Sequence, residues 1–172
     1  MALKLDISKA YDRVEWIFHE EIMRKIGFNK RWINLTMTCV KIVTYSILVN
    51  REPRGLIHPS RGIRQGDPLS LFHFLLYTEG LNGLIKNAEL NGDIHGFSLC
   101  RRGPKLTHLV FAHDSLLFCR AIVKECANVL KILEAYEGAS GQKVNMDKTT
   151  LFFSRSTLDD IKSNIKQTLG VQ

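Results

Sequence analysis

No run in this sequence approaches the ~20 consecutive apolar residues that a membrane-spanning helix needs. Residues 1–9 have neither the long apolar core nor the cleavage-like pattern of a secretory signal. The four cysteines, Cys39, Cys100, Cys119 and Cys126, form no Cys-x-x-Cys pair and keep no zinc-type spacing with histidine. That argues against a disulfide framework or a zinc module, and they read as reduced, buried thiols of an intracellular protein. Internal repeats and low-complexity segments are absent. What remains is a chain of 172 residues, 45% hydrophobic and 24% charged. This is the size and balance of one soluble globular domain with a real core.

Charge of one sign is in excess. The net charge is +7 and the pI is near 9.4, which suits an anionic partner such as nucleic acid. Arg51, Arg54, Arg61 and Arg64 share one loop-rich stretch, and Arg101, Arg102 and Lys105 share another. Solvated basic loops would explain both clusters equally well.

Periodicity gives the organisation. Leu3-Lys4-Leu5-Asp6-Ile7 alternates as a strand from the start of the chain, an expectation that implies missing sequence upstream. Residues 14–27 carry Val14, Ile17, Phe18, Ile22 and Ile26 at helical spacing and end at Gly27; a second helix is expected over residues 30–43. Residues 44–50 are rich in β-formers. A loop with Pro53, Gly55 and Pro59 follows, then a glycine-rich loop over residues 62–68. The long apolar stretch 69–85, with Pro68 at its first turn, reads as a central helix, apolar all round in its first half. Strands are expected over residues 96–100, 106–112 and 115–119, then a helix over residues 122–137. Ser140-Gly141-Gln142 is a break, Val144 and residues 149–153 resume a strand pattern, and residues 157–169 form a last helix. One antiparallel hairpin among strands and helices indicates an α+β domain.

Four constellations could carry chemistry. Asp6 leaves a core strand, where a carboxylate is costly unless it is paired or holds a cation; capping of the next helix is the plainer alternative. Arg61-Gly62-Ile63-Arg64-Gln65-Gly66-Asp67-Pro68 precedes a helix N-terminus, a place that favours anions. Phe111-Ala112-His113-Asp114 sits between two apolar runs as the tip of a tight hairpin, where a lone Asp is ordinarily turn chemistry. Gly141-Gln142-Lys143-Val144-Asn145-Met146-Asp147-Lys148 sets two lysines beside a strand, as solvated β-edges also do.

Taken in order, these four stretches resemble the palm motifs of reverse transcriptases, most closely those of plant LINE-type (non-LTR) retrotransposons. Leu5-Asp6-Ile7-Ser8-Lys9-Ala10-Tyr11-Asp12 looks like the first motif, and Gly62-Ile63-Arg64-Gln65-Gly66-Asp67-Pro68-Leu69-Ser70 like the second. Phe111-Ala112-His113-Asp114 looks like the third, and Ser140-Gly141-Gln142-Lys143-Val144-Asn145 through Thr149 like the fourth. The resemblance covers almost the whole chain. It implies a single palm domain over residues 1–172, an antiparallel sheet packed on helices, with fingers upstream and thumb downstream missing. Asp6 and Asp114 are then metal ligands, and Tyr11 is the aromatic gate against a ribose 2′-hydroxyl. Arg64, Gln65 and Gly66 lie along the nascent base pair and template, and Lys148 approaches the triphosphate. Two Mg²⁺ ions, an RNA template, a DNA primer and a deoxynucleoside triphosphate are the implied cofactors and partners, with no membrane; nuclear residence follows from the same likeness. Two hard cations clamping the attacking and leaving oxygens is the chemistry those carboxylates serve.

The chain departs from that pattern at His113, where the family has a principal metal-ligand aspartate. A neutral imidazole suits softer metals than Mg²⁺, and the replacement removes one negative charge from a three-carboxylate site. Leu71 stands in place of the usual proline. The expectation is a palm with polymerase ancestry and impaired catalysis. Alternatives are a non-catalytic RNA-binding or scaffold module, or a decayed fragment without function.

Overall fold

The computed structural model describes residues 1–100, 103–111 and 114–171. Strand β1 (Ala2–Ser8) lies in the middle of the main sheet, because its alternate residues Leu3, Leu5 and Ile7 are apolar and buried. On one edge it pairs antiparallel with β7 (Asp114–Phe118), and β7 pairs in turn with β6 (His108–Val110). Its other edge is shared. The start of β1 pairs with β9 (Thr150–Phe152) and its end with β8 (Lys143–Val144), both antiparallel.

Helices pack on the apolar face of this sheet. Leu3, Leu5 and Leu117 share one core with Leu81 and Ile85 of α3 (Pro68–Leu90), Val129 and Leu133 of α4 (Val123–Ser140), and Ile165 of α5 (Asp159–Leu169). Two further helices, α1 (Trp16–Ile26) and α2 (Lys30–Lys41), continue that layer through contacts of α1 with α3. The residues between them on β1 face the other way: Lys4 is exposed and Asp6 half-buried. The fold is therefore α+β, an antiparallel sheet with one face on helices and the other carrying Lys4, Asp6 and Asp114. The cysteines are all free as expected, but only Cys119 and Cys126 are buried; Cys39 and Cys100 are exposed.

Three expectations are corrected. The Pro53–Gly55 region is not a loop but strand β3 (Glu52–Ile57), paired with β2 (Tyr45–Val49) in a two-stranded ribbon. Proline is tolerated there because each strand of a ribbon has an open edge. Secondly, α3 is buried on one side only. Phe74, Tyr77, Leu81 and Ile85 face the core, while Leu69, Leu71, Phe72 and Leu75 are at least half exposed, so its all-round apolar start does not make it central. Thirdly, the strand expected over residues 106–112 is broken at Thr107. Lys105–Leu106 (β5) turns away to pair with Phe97–Ser98 (β4), and β6 joins the main sheet.

Where α1 meets α3, two histidines are buried without hydrogen-bond partners on His19 Nδ1 and Nε2 or on His73 Nδ1. The His19 ring stands edge-on to His73 and Tyr77, with centroids 4.8 and 4.7 Å apart. Burial pushes the His19 pKa down to about 3, helped by repulsion from His73. Burial also lowers His73, against the pull of Asp67. Both rings are thus biased toward the neutral form in the folded chain. The unfolded chain takes up their protons near pH 6.5, so stability is fully present above that pH and is lost as pH falls toward 3. For His19 alone the loss reaches about 5 kcal/mol, of which about 2 kcal/mol is gone by pH 5. Urea unfolding across this range is expected to show that slope, and His19→Leu to flatten it relative to the unaltered chain.

Candidate active site

Asp6 is fixed from both edges of β1. On one side its Cα partner in the antiparallel register is Asp114, the first residue of β7. Side chains directly opposite each other on antiparallel strands have Cβ atoms ~5 Å apart, so the two carboxylates sit side by side on the open face of the sheet. On the other side the Asp6 carbonyl accepts a 2.8 Å hydrogen bond from the Asn145 amide. Asp6 does not cap a helix: it lies inside β1, and α1 begins ten residues later behind Glu15, which makes no side-chain cap bond. Two adjacent carboxylates repel, and Lys4, on the same face two residues earlier, relieves this with an ion pair to Asp114 Oδ2 at 3.1 Å. Both partners are nearly half exposed, so the pair itself contributes at most about 1 kcal/mol.

The hairpin of the third motif is closed by a 2.8 Å bond from the Phe111 amide to the Asp114 carbonyl. His113, with Ala112, lies outside the described residues.

The first motif continues into a turn, residues 9–15, and two other motifs dock on it. From one side, the Gly62 amide donates to the Val14 carbonyl (2.8 Å) and the Ile63 amide to the Tyr11 carbonyl (2.9 Å). Trp16 Nε1 donates to the Gly62 carbonyl at 2.8 Å. Gly62 has φ +78°, and a Cβ on it would sit 2.5 Å from the Asp12 carbonyl oxygen; no side chain fits this contact. From the other side, the Glu15 amide donates to the Ser140 carbonyl (2.9 Å). Here Gly141, at φ +76°, brings its α-carbon so close that a Cβ would lie 2.6 Å from the Arg13 carbonyl oxygen. The Tyr11 ring, half-buried, packs on Phe74 of α3 with centroids 5.1 Å apart.

Arg64, Gln65 and Gly66 are all exposed on the loop that leads into α3. With Asp12, Tyr45 and Arg61 the first two line an open cleft beside the turn. The anion pocket expected at the start of α3 is taken by the chain's own carboxylate: Asp67 is the N-cap, and its Oδ1 accepts from the Leu69 amide at 2.8 Å. The Ser70 hydroxyl donates to the Arg64 carbonyl (2.5 Å) and closes the loop. Lys148 is exposed at the end of a 3₁₀ turn, Met146–Lys148, that follows Asn145 and packs against β1. Lys143 is engaged by Glu137 at 2.7 Å.

The structure thus brings Asp6 and Asp114 together, sets Lys148 just beyond Asn145, and places the Tyr11 carbonyl against the Gly62–Ile63 loop segment of the second motif. Sequence reasoning missed Lys4, Trp16 and Gln142 as parts of this arrangement. Lys4 could have been found from its position two residues before Asp6 on the same strand face. Trp16 and Gln142 bond to backbone far away in sequence, which no local pattern reveals.

Among the described residues no group of three or more His, Cys, Asp or Glu side chains comes together to hold a metal ion. The two carboxylates nevertheless fit a hard divalent cation in their chemistry: both are oxygen donors on an open face, and Mg²⁺ is commonly held by one or two carboxylates plus waters and substrate phosphates.

Solved structures of telomerase share this architecture. Over 91% of its length the chain superposes on telomerase from Candida albicans, solved with a fragment of telomeric RNA, with a TM-score of 0.66 and 16% identity. It also superposes over 91% of its length on apo telomerase from Candida tropicalis, with a TM-score of 0.69 and 16% identity. It covers 27% and 31% of those chains, and at this identity the likeness is one of fold. The sequence is more specific. Residues 1–172 match the reverse transcriptase (RNA-dependent DNA polymerase) family, and the chain belongs to it. It is 29% identical over 146 residues to the Pol polyprotein of the type-1 retrotransposable element R2 from Popillia japonica, covering 85% of this chain and 23% of that one. It is 46% identical over 68 residues to an uncharacterised mitochondrial protein of Arabidopsis thaliana, 40% of this chain and 56% of that one.

Gly62→Ala and Gly141→Ala each force a Cβ into a backbone carbonyl at positive φ. Each is expected to cost about 3 kcal/mol and to lower the melting temperature by roughly 6–12 °C. Gly66→Ala, where φ is +88° but the space is open, is expected to cost less. Thermal unfolding followed by circular dichroism checks the order.

Proposed function

We propose that residues 1–172 form the palm of a non-LTR retroelement reverse transcriptase whose own nucleotidyl transfer is impaired. The observation that carries this is the Asp6–Asp114 register, with His113 as the residue immediately before Asp114. Two strands deliver two carboxylates to one place on an open face, as metal-assisted phosphoryl transfer requires. The third carboxylate of the family's set is an imidazole in this sequence. Asp6 and Asp114 would hold Mg²⁺, which supplies charge neutralisation at the attacking and leaving oxygens. With one negative charge fewer, the second ion of a two-ion clamp is the one lost. Lys4, already paired to Asp114, competes further for the remaining charge.

The other roles are assigned by the family likeness. The Tyr11 ring, braced on Phe74, stands as the gate against a ribose 2′-hydroxyl. Arg64, Gln65 and Gly66 line the path of template and nascent base pair, and Lys148 is free to swing toward a triphosphate. An RNA template, a DNA primer and deoxynucleoside triphosphates are the partners, and nuclear residence belongs to the same reading. No helix among the described residues is long and apolar enough to cross a membrane. Binding to RNA without chemistry is the second reading, favoured by the +7 charge and by the Arg61 and Arg64 cleft.

Primer extension on an RNA template, with Mg²⁺ and with Mn²⁺, tests the proposal. The unaltered chain is expected to extend at least 100-fold more slowly than its His113→Asp variant, and Asp6→Asn to abolish what remains. Robust extension by the unaltered chain would sink the claim of impairment. RNA binding that weakens steeply with salt, alongside no extension by either chain, would favour the binding module.

A further inference from the structure

Gln142 belongs to the fourth motif and touches neither carboxylate, yet it is one of the most completely buried polar side chains in the chain, 1% exposed. Its surroundings fix its orientation. The Tyr136 hydroxyl donates to Gln142 Oε1. The tyrosine is held as a neutral donor because burial raises its pKa above the ordinary phenol value. With Oε1 committed, the amide nitrogen must point the other way, and Nε2 donates to the Ala10 carbonyl at 2.6 Å, across 132 residues of sequence. The backbone of Gln142 is tied as well: its amide reaches the Ser140 hydroxyl at 3.2 Å, and that hydroxyl donates to the Tyr136 carbonyl at 2.7 Å.

The bonded carbonyl is the peptide immediately before Tyr11. The next carbonyl, that of Tyr11 itself, is taken by the Ile63 amide. Tyr11 is therefore suspended between two anchored peptides, one fixed by the fourth motif and one by the second. Its ring is only half-buried and rests on Phe74. A ring on such a support moves with its backbone, and displacement by a fraction of an ångström is enough to change what fits against it.

We propose that Gln142 is a positioning residue for Tyr11: by holding the Ala10 carbonyl it sets the height of the aromatic gate and hence discrimination between deoxyribose and ribose. The inference rests on the reading of Tyr11 as that gate. A purely structural role would cost stability and lower affinity for both nucleotides alike. The positioning role changes their ratio.

Titration of the template–primer-loaded chain with a deoxynucleoside triphosphate and with its ribonucleoside counterpart separates the two. In Gln142→Met, which keeps the length and loses the donor, affinity for the deoxynucleotide is expected to stay within about threefold. Preference over the ribonucleotide is expected to fall about tenfold. Because the effect travels through Tyr11, adding Gln142→Met to Tyr11→Ala is expected to leave the ratio where Tyr11→Ala alone puts it. Tyr136→Phe, which frees the amide without touching it, gives a milder loss of the same kind and serves if Gln142→Met does not fold. An unchanged ratio in both single variants, or losses that add in the double variant, overturns the positioning role. An unaltered chain that binds both nucleotides equally removes the gate itself, and the inference with it.

Discussion

The turn from Lys9 to Glu15 is clasped between two glycines, Gly62 and Gly141, that lie far apart in the sequence. Gly62 meets the Asp12 carbonyl and Gly141 the Arg13 carbonyl, each at a distance that excludes any Cβ. Amide hydrogen bonds from Gly62 and Ile63, and from Glu15 to Ser140, complete the clasp. Asp6 precedes this turn on β1 and Tyr11 lies within it. The loop to α3 departs on one side, and the strand leading to Lys148 departs on the other. Most of the relative placement of the first, second and fourth motifs passes through these backbone contacts. The third motif arrives separately, through the pairing of β7 with β1.

This explains why the site sits where it does on the sheet. Leu3, Leu5 and Ile7 commit one face of β1 to the helices, and the period-two alternation of a strand then commits Lys4 and Asp6 to the other. A one-residue slip of register would bury Asp6 and expose the leucines, so the hydrophobic core itself holds Asp6 opposite Asp114. The carboxylate pair is a by-product of the same alternation that buries the core.

Much of this was legible from the residues. The alternation around Asp6 and the helical spacing of α1, α2, α4 and α5 are strong local signals, and the structure carries all five elements at those places. The four motifs, in their order, identified the family. Other features were not legible because their causes are not local. Strand β3 hid behind Pro53 and Gly55, which punctuate loops everywhere except on a free edge. The apolar first half of α3 suggested burial, but Leu69, Leu71, Phe72 and Leu75 face outward among the described residues. The long-range bond of Gln142 to Ala10, and the approach of Gly62 to Asp12, exist only once the chain is folded. A sequence shows such residues as a polar letter and a glycine, with nothing to say which backbone they meet.

The parts that hold the site are chemically distinct from the parts that would act in it. The clasp is made of backbone amides, carbonyls, two glycines and one buried side-chain amide. The sheet register is set by leucines and isoleucine. None of these depends on a bound cation or on a third carboxylate. The contacts on which the described fold rests therefore lie apart from the two carboxylates proposed to hold a cation. The residues that hold the described fold and the side chains proposed to act on it are separate, so the geometry of the sheet and the clasp does not depend on the chemistry.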